Sequence, residues 1–220
     1  MKVLVIAPHP DDETLGCGGS LFRHIEKGDD VYWLIVTTVS NDLGWSQHLI
    51  DKRQKELNQV NEKYGFRKRF NFNLPATKLD TLPITNIIDR LKDVFNEVRP
   101  ELIYMPYSND VHTDHKVICS ALQSTFKWFR YPYIKRILMY ETLSETEYNY
   151  LDGDCFRPNV FIEISKYIDA KVSAMEIYES EMGSFPFPRS VEAIRALAKL
   201  RGSNSGFEFA EAFQLVYERK

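Results

Sequence analysis

The sequence predicts an α/β fold, a Rossmann-like three-layer sandwich with a mainly parallel sheet and a C-terminal helical extension. Strand-like and helix-like segments alternate from the first residues onward, and each early helix-like segment is long enough to return the chain to the start of the next strand. Strands connected in this way form right-handed crossovers and lie parallel to one another. The segment 31–38 (VYWLIVTT) is nearly all apolar or β-branched, which is typical of a strand covered on both faces.

The predicted strands are β-branched or apolar runs bounded by turn residues. They cover 2–7, 31–38, 69–74, 102–107, 134–140 and 159–164. The predicted helices have apolar residues at helical spacing. They cover 15–27, 50–64, 85–98, 113–129, 165–179 and 189–200. Gly28 and Gly65 mark the ends of the first two helices, and Pro100 follows the third.

Length and composition indicate an ordinary globular protein of 220 residues, 44% hydrophobic and 27% charged. We expect a single domain over 1–220, with a Rossmann-like core at 1–145 and a C-terminal extension at 146–220 that lines the pocket. The net charge of −3 gives no general attraction to nucleic acid, and the apolar run 3–7 is far too short to span a membrane. Nucleic acid and a membrane span are therefore not expected, whereas a homo-oligomer formed through the C-terminal helices is compatible with the sequence.

The three cysteines, Cys17, Cys119 and Cys155, are widely spaced and form no C-x-x-C pair. Neither a disulfide framework nor a thiolate zinc site is expected, and a reducing, cytoplasmic location fits best. No base is paired with Cys17 in sequence, so we expect it to be packed and inert. The neighbouring glycines at 16, 18 and 19 predict close helix–strand packing, because Leu21 stands where a dinucleotide fingerprint needs its third glycine.

Side chains that can bind metals are concentrated in two short segments, each directly after a predicted strand. The segment 7–13 (APHPDDE) follows the first strand, and 109–115 (NDVHTDH) follows the strand at 102–107. Three of the five histidines of the chain lie there, namely His9, His112 and His115. Ligands of open parallel sheets bind at the carboxyl ends of the strands. The two segments are therefore expected to form one pocket.

A hydrolytic zinc site needs about three His or carboxylate ligands and one open position for water. His9 and Asp12 are three residues apart on a turn that Pro10 stiffens, and His112 and His115 are three apart at a helix start. Each motif alone is compatible with simple helix capping. Together they favour a divalent cation, which would relieve the repulsion among the crowded carboxylates. Spacing does not decide which carboxylate binds the metal and which acts as a base.

The segment 9–13 (HPDDE), followed by 15–19 (LGCGG), resembles the signature of the PIG-L/LmbE-like deacetylases. These are zinc-dependent enzymes that remove N-acetyl groups from glucosamine-containing substrates. The segment 112–115 (HTDH) is similar to the second family motif, H-x-D-H, although Thr113 stands where proline is common; we expect Thr113 to cap the helix equally well. The segments 53–56 (RQKE), 201–202 (RG) and 210–213 (AEAF) resemble further family elements.

The resemblance implies a role for each matching residue. The zinc ligands would be His9, Asp12 and His115. The catalytic residues would be Asp11 as general base, His112 as the group that stabilises the charged intermediate, and Asp114 as an orienting carboxylate. Among the candidates for substrate binding, Arg53 and Arg201 lie in family-like segments, while Trp45 either stacks on a pyranose face or anchors the packing.

Two side chains carry expectations of their own. Neighbouring carboxylates are expected to keep His112 protonated, so that it can stabilise an oxyanion. Glu13 is expected either to support a metal ligand or to favour the N-terminus of the following helix.

The predicted function is removal of an N-acetyl group from an N-acetylglucosamine-type amino sugar or its small-molecule conjugate, by zinc-activated water with Asp11 as base. The expected cofactor is Zn²⁺, although a His/Asp site also accepts Fe²⁺ or Co²⁺. Two alternatives remain open. One is a metal-dependent amidase that acts on a non-sugar acyl amine, and the other is a non-catalytic sugar- or nucleotide-binding protein.

Overall fold

The computed structural model describes residues 1–151 and 155–220, which contain a mixed seven-stranded sheet between two layers of helices. The strands are β1 (Lys2–Ala7), β2 (Asp30–Thr38), β3 (Lys68–Pro75), β4 (Leu102–Pro106), β5 (Arg136–Tyr140), β6 (Val160–Glu163) and β7 (Ala210–Glu218). Their order is β3-β2-β1-β4-β5-β7-β6. The first five strands are parallel, and β7 runs antiparallel to both of its neighbours. The predicted fold class is thereby confirmed.

Helices cover both faces of the sheet. They are α1 (Asp12–Glu26), α2 (Gln47–Tyr64), α3 (Ile84–Val98), α4 (Thr113–Thr125), α5 (Ile168–Met175) and α6 (Val191–Ser203). Alternate residues of β1 face opposite layers, since Val3 and Val5 pack with α1, α2, α5 and α6, whereas Leu4 and Ile6 pack with α3 and α4. No helix in the described residues is long and apolar enough to cross a membrane.

The C-terminal extension is not purely helical, which corrects one part of the prediction. It adds β6, which was expected, and β7, which was not. The strand β7 (AEAFQLVYE) could not be predicted from its pattern. Its buried residue Glu211 is charged, whereas a buried strand position is expected to be apolar. Since β7 lies between β5 and β6, the extension and the preceding segment share one sheet. The division of the chain near 145 stays a prediction.

Several helix boundaries differ from the predicted ones by three or four residues. α1 begins at Asp12 rather than at 15, so part of the first motif lies in its first turn. α4 ends at Thr125 rather than at 129, because Trp128 and Phe129, which extended the apolar pattern, are exposed and give the helix nothing to bury. α5 is shorter than the predicted 165–179.

The glycine-rich part of α1 packs closely against the sheet, as predicted. A Cβ atom at Gly16 would lie 2.1 Å from Cδ2 of Tyr140. The Tyr140 ring is held in place because its hydroxyl donates a 2.8 Å hydrogen bond to the carbonyl of Ile6. Cys17 is wholly buried and donates to a backbone carbonyl, and burial raises the pKa of its thiol. These contacts agree with a packed and inert cysteine.

α1 is kinked at Cys17, where the backbone has φ −146° and ψ 19°. Two buried side chains supply hydrogen bonds at the kink. The carbonyl of Leu15 accepts from Nζ of Lys171 at 2.8 Å, and the N–H of Gly19 donates to Glu211 at 2.9 Å. Lys171 and Glu211 also form an ion pair of 2.6 Å with each other. The ion pair therefore connects α5 and β7 to α1, the helix that begins within the first motif.

Candidate active site

The two sequence motifs meet at a cavity of about 340 Å³ at the carboxyl ends of the strands. β1 lies between β2 and β4, so the order of the sheet changes direction between β1 and β4, where open α/β sheets bind their ligands. The cavity is also lined by the segment after β2, the turn after β5 and two charged residues of the C-terminal extension. Its volume is within the range of about 300–1,000 Å³ that is usual for small-molecule sites.

A tight turn leads from β1 into α1 and separates the two adjacent aspartates. Asp11 has a left-handed φ of 113°, which is uncommon outside glycine. Its N–H donates to Oε2 of Glu13 at 3.2 Å, and its carbonyl accepts from the first turn of α1. As a result Asp12 is directed toward His115, whereas Asp11 is directed toward Arg189.

His9, Asp12 and His115 converge on one point. Oδ2 of Asp12 lies 3.4 Å from Nδ1 of His9 and 3.2 Å from Nε2 of His115, and these two nitrogens are 3.3 Å apart. The potential ligand atoms of the three residues all lie within 4.8 Å of one another. A second group with the same spread consists of His9, His112 and Asp114. Each group contains the types of side chain that bind a divalent metal ion.

Carboxylates hold the remaining nitrogens of two of these imidazoles. Nδ1 of His115 lies 2.8 Å from Oδ2 of Asp110, and Nε2 of His9 lies 3.0 Å from Oδ2 of Asp114. The N–H of Thr77 also donates to Asp114, at 2.7 Å. Metal-binding histidines almost always have their second nitrogen held in this way. Two imidazoles and one carboxylate are a usual ligand set of a catalytic zinc site, and the adjacent cavity leaves room for water or substrate at the fourth position. The residues present therefore fit that metal.

His112 differs from the prediction in two respects. Its Nδ1 accepts a 3.1 Å hydrogen bond from the N–H of Asp114, so His112 caps α4 and the expectation that Thr113 does so is wrong. Burial, together with the charges of His9 and His115, lowers the pKa of His112 to about 4. Both observations oppose the expectation of a protonated His112, because burial disfavours the charged ring and an Nδ1 that accepts a hydrogen bond carries no proton.

The two adjacent aspartates have opposite electrostatic environments. Burial raises the pKa of Asp11 above its usual range; the Asp12 carboxylate adds to this effect and Arg189 opposes it. Burial acts in the same direction on Asp12, but the charge of His115 and hydrogen bonds from His115 and His9 lower its pKa below the usual range. Neighbouring groups whose pKa values are pushed apart commonly divide the roles of proton carrier and fixed anion.

Arg189 is a residue of the site that sequence reasoning missed. Its Nη1 lies 3.0 Å from Oδ2 of Asp11 and 3.2 Å from Oε2 of Glu181. Arg53 contacts the other oxygen of Glu181 and lies 3.4 Å from Glu56. Both arginines and Glu181 line the cavity. The only local signal for Arg189 is its position directly after the proline-containing loop 183–188 (GSFPFP), and that pattern does not indicate a contact with Asp11.

The three residues predicted to bind substrate lie in different places. Trp45 and Arg53 line the cavity, and 42% of the surface of Trp45 is exposed. Arg201 is not among the cavity residues. Its Nε and Nη2 donate to the two oxygens of Glu141 at 2.7 and 2.5 Å. The guanidinium thus holds the residue that follows β5, and a substrate contact of Arg201 stays a prediction.

Glu13 is wholly buried in the first turn of α1. Besides the N–H of Asp11, it accepts hydrogen bonds from the hydroxyls of Thr14 and Tyr178 at 2.7 and 2.9 Å. Burial raises its pKa to about 7. None of these contacts is to a predicted metal ligand; the N–H that Glu13 accepts belongs to Asp11, the N-cap residue of α1, so the contacts favour the expected role at the N-terminus of the helix.

Two curated relatives resemble this chain over most of its length. Diacetylchitobiose deacetylase of Thermococcus kodakarensis is 26% identical over 98% of this chain and 83% of its own length. Probable N-acetyl-alpha-D-glucosaminyl L-malate deacetylase 2 of Bacillus cereus is 24% identical over 81% of this chain and 83% of its own length.

Solved structures share the whole fold. The conserved protein TT1542 from Thermus thermophilus has a TM-score of 0.78 and 25% identity, with 99% of this chain and 96% of that one covered. GalB of Pseudomonas putida KT2440, a 4-carboxy-2-hydroxymuconate hydratase, has a TM-score of 0.75 and 19% identity, with coverage of 100% and 97%. The likeness to GalB shows the fold alone, and a fold does not fix a reaction.

The model of the PIG-L family, described as GlcNAc-PI de-N-acetylase, matches residues 4–126. This match covers more than half of the chain and includes both motifs that meet at the cavity. The chain therefore belongs to the PIG-L family.

Proposed function

We propose that this protein is a metal-dependent hydrolase that removes the N-acetyl group from an N-acetylglucosamine-type amino sugar or its conjugate. The observation that carries the proposal is the convergence of His9, Asp12 and His115 beside a cavity into which Asp11 also faces. The names of the two curated relatives, both deacetylases, support the same reaction.

In this proposal His9, Asp12 and His115 hold a Zn²⁺ ion. The alternative group, with His112 and Asp114, is less suited, because both oxygens of Asp114 already accept backbone N–H groups and Nδ1 of His112 accepts another. When bound, the ion supplies Lewis acidity that polarises an amide carbonyl and acidifies a water molecule. The fixed negative charge of Asp12 and the orienting carboxylates of Asp110 and Asp114 preorganise the imidazoles for it.

Asp11 acts as the proton carrier in this proposal. Its carboxylate takes a proton from the attacking water and returns it to the leaving amine. Arg189 holds Oδ2 of this carboxylate at 3.0 Å, and Asp11 lines the cavity, so the carboxylate is held beside the space in which a substrate would bind. The backbone at Asp11 has a left-handed φ and is held by the hydrogen bond to Glu13. This backbone directs the Asp11 carboxylate away from the carboxylate of Asp12, which would bind the metal.

His112 stabilises the developing oxyanion as a neutral hydrogen-bond donor. Because its Nδ1 accepts the N–H of Asp114, the proton of the neutral ring is on Nε2. An N–H donor aimed at a developing charge needs no positive charge of its own. Trp45 offers an apolar face for the sugar ring, and Arg53 adds a charged side chain to the lining of the cavity.

Acetate release from a panel of N-acetylglucosamine conjugates tests the proposal, with the protein loaded with Zn²⁺, Fe²⁺ or Co²⁺ in parallel. We expect the wild type to release acetate, Asp11→Asn to retain metal but lose most turnover, and His9→Ala to lose both. Full activity in Asp11→Asn would refute its role as base. Release only from non-sugar acyl amines would identify an amidase, and binding of sugars without release would identify a binding protein.

A further inference from the structure

The turn after β5 presents a carboxylate to the cavity that the reaction described above does not use. Glu145 lies in this turn, and its backbone is fixed on both sides: its N–H donates to the carbonyl of Thr142, and its carbonyl accepts from the N–H of Val111 next to His112, both at 3.1 Å. The hydroxyl of Thr146 donates to Asp110 at 2.6 Å, which ties the turn to the carboxylate behind His115.

The side chain of Glu145 lines the cavity and is half-buried. Its carboxylate forms no hydrogen bond or ion pair with any other residue in 1–151 or 155–220. Burial, with a further contribution from Asp12, raises its pKa to about 7. A partly buried carboxylate without a partner is costly, and a ligand that donates hydrogen bonds to it recovers that cost.

The positive charges of the cavity wall, in contrast, are already compensated. Arg53 contacts Glu56 and Glu181, and Arg189 contacts Asp11 and Glu181. An anionic group on the substrate would have to displace one of these carboxylates to pair with a guanidinium. It would also meet the carboxylate of Glu145, which has no ion pair within the described residues.

We infer that Glu145 is a specificity-determining residue whose carboxylate accepts hydrogen bonds from substrate hydroxyls, so that the cavity prefers an uncharged, hydroxyl-rich amino-sugar conjugate to an anionic one. This inference rests on the proposed function. In this inference, the turn after β5 recognises the part of the substrate that does not react.

The test compares two substrates that differ in charge, N,N′-diacetylchitobiose and N-acetylglucosamine 1-phosphate, with the zinc-loaded protein. At pH 8, above the raised pKa of Glu145, we expect the wild type to prefer the disaccharide by about tenfold or more in kcat/KM, as one hydrogen bond to a charged group would give. Glu145→Ala should raise KM for the disaccharide about tenfold and change kcat little. Glu145→Gln should narrow the preference by improving kcat/KM for the phosphate.

Glu147→Gln is the matched control, because it removes the same charge from the same turn but outside the cavity lining, where Glu147 accepts the N–H of Ser144. It should behave as wild type. Equal use of both substrates by the wild type, or an unchanged KM in Glu145→Ala, would overturn the inference. If neither these two substrates nor the wider panel of N-acetylglucosamine conjugates yields acetate with the wild type, the proposed function fails. Calorimetric titration with the two sugars then decides the inference, which requires tighter binding of the disaccharide by wild type than by Glu145→Ala.

Discussion

Arg189 connects two carboxylates that lie far apart in sequence, Asp11 and Glu181. Replacing it with Met leaves the Asp11 carboxylate without its ion pair and free to rotate. We expect kcat to fall about 10- to 100-fold, the range given by the loss of one charge-assisted hydrogen bond, while metal content stays unchanged. Arg189→Lys keeps the charge and should recover part of the rate. Kinetics beside metal analysis checks this, and loss of metal in Arg189→Met would indicate a purely structural role.

His24 gives a prediction about pH and stability that is independent of the active site. Burial lowers its pKa, although its Nδ1 lies 2.7 Å from Asp29. The unfolded chain, with a histidine pKa of about 6.5, therefore binds more protons at mildly acidic pH than the folded chain does. The free energy of unfolding should fall as the pH drops below that value. In His24→Gln this part of the decrease should disappear.

Urea unfolding at pH 7.5 and pH 5 measures the effect. The decrease in the free energy of unfolding between the two pH values should be smaller in His24→Gln than in wild type. Equal decreases would mean that His24 does not contribute to the pH dependence.

At the scale of elements, the ion pair between Lys171 and Glu211 should determine the stability of the kinked α1. Lys171→Met leaves the Glu211 carboxylate and the carbonyl of Leu15 buried without their cation. Removing one partner of a buried pair costs about 3–5 kcal/mol, so a large loss in the free energy of unfolding is expected. Denaturant unfolding checks this. The double variant Lys171→Met, Glu211→Gln should lose clearly less than the sum of the single variants, and simple additivity would contradict the coupling.

The elements of the first two thirds of the chain could be predicted because their signals are local. β1, β2 and β4 are apolar runs, and the helices between them have regular apolar spacing. β7 could not be predicted, because its buried Glu211 is stabilised by Lys171 and by N–H groups of α1, contacts that a local pattern does not contain.

The same distinction applies to the candidate site. The two motifs placed metal-binding side chains at neighbouring strand ends, and the family resemblance selected His9, Asp12 and His115 among them, which the structure brings together. Arg189 and Glu145 are held by contacts between distant segments, and their own surroundings in sequence carry no comparable pattern. The neutral state of His112 follows from its burial and from the hydrogen bond that its Nδ1 accepts from the N–H of Asp114, neither of which spacing describes.

For the whole molecule, the position of β7 inside the sheet predicts that the C-terminal extension cannot be removed. Deleting residues 210–220 would take away the only strand that pairs with β6 in the described residues and leave β5 with one neighbour. It would also expose the core around Phe213. We expect this variant to lack cooperative thermal unfolding, whereas deletion of 219–220 should preserve it. Circular dichroism checks both, and a cooperative transition in the longer deletion would contradict the expectation.

The position of β7 also has a consequence during protein synthesis. The parallel strands β1 to β5 can pair as soon as residue 140 has left the ribosome, and each adds beside a strand that is already present. β6 has no neighbour until residues 210–218 emerge and enter between it and β5. About seventy residues lie between the end of β5 and the start of β7. While they are being synthesised, the β5 edge of the sheet is unpaired and can bind other unpaired strands. A nascent chain that pauses in this interval would therefore be the form of the protein most dependent on a chaperone.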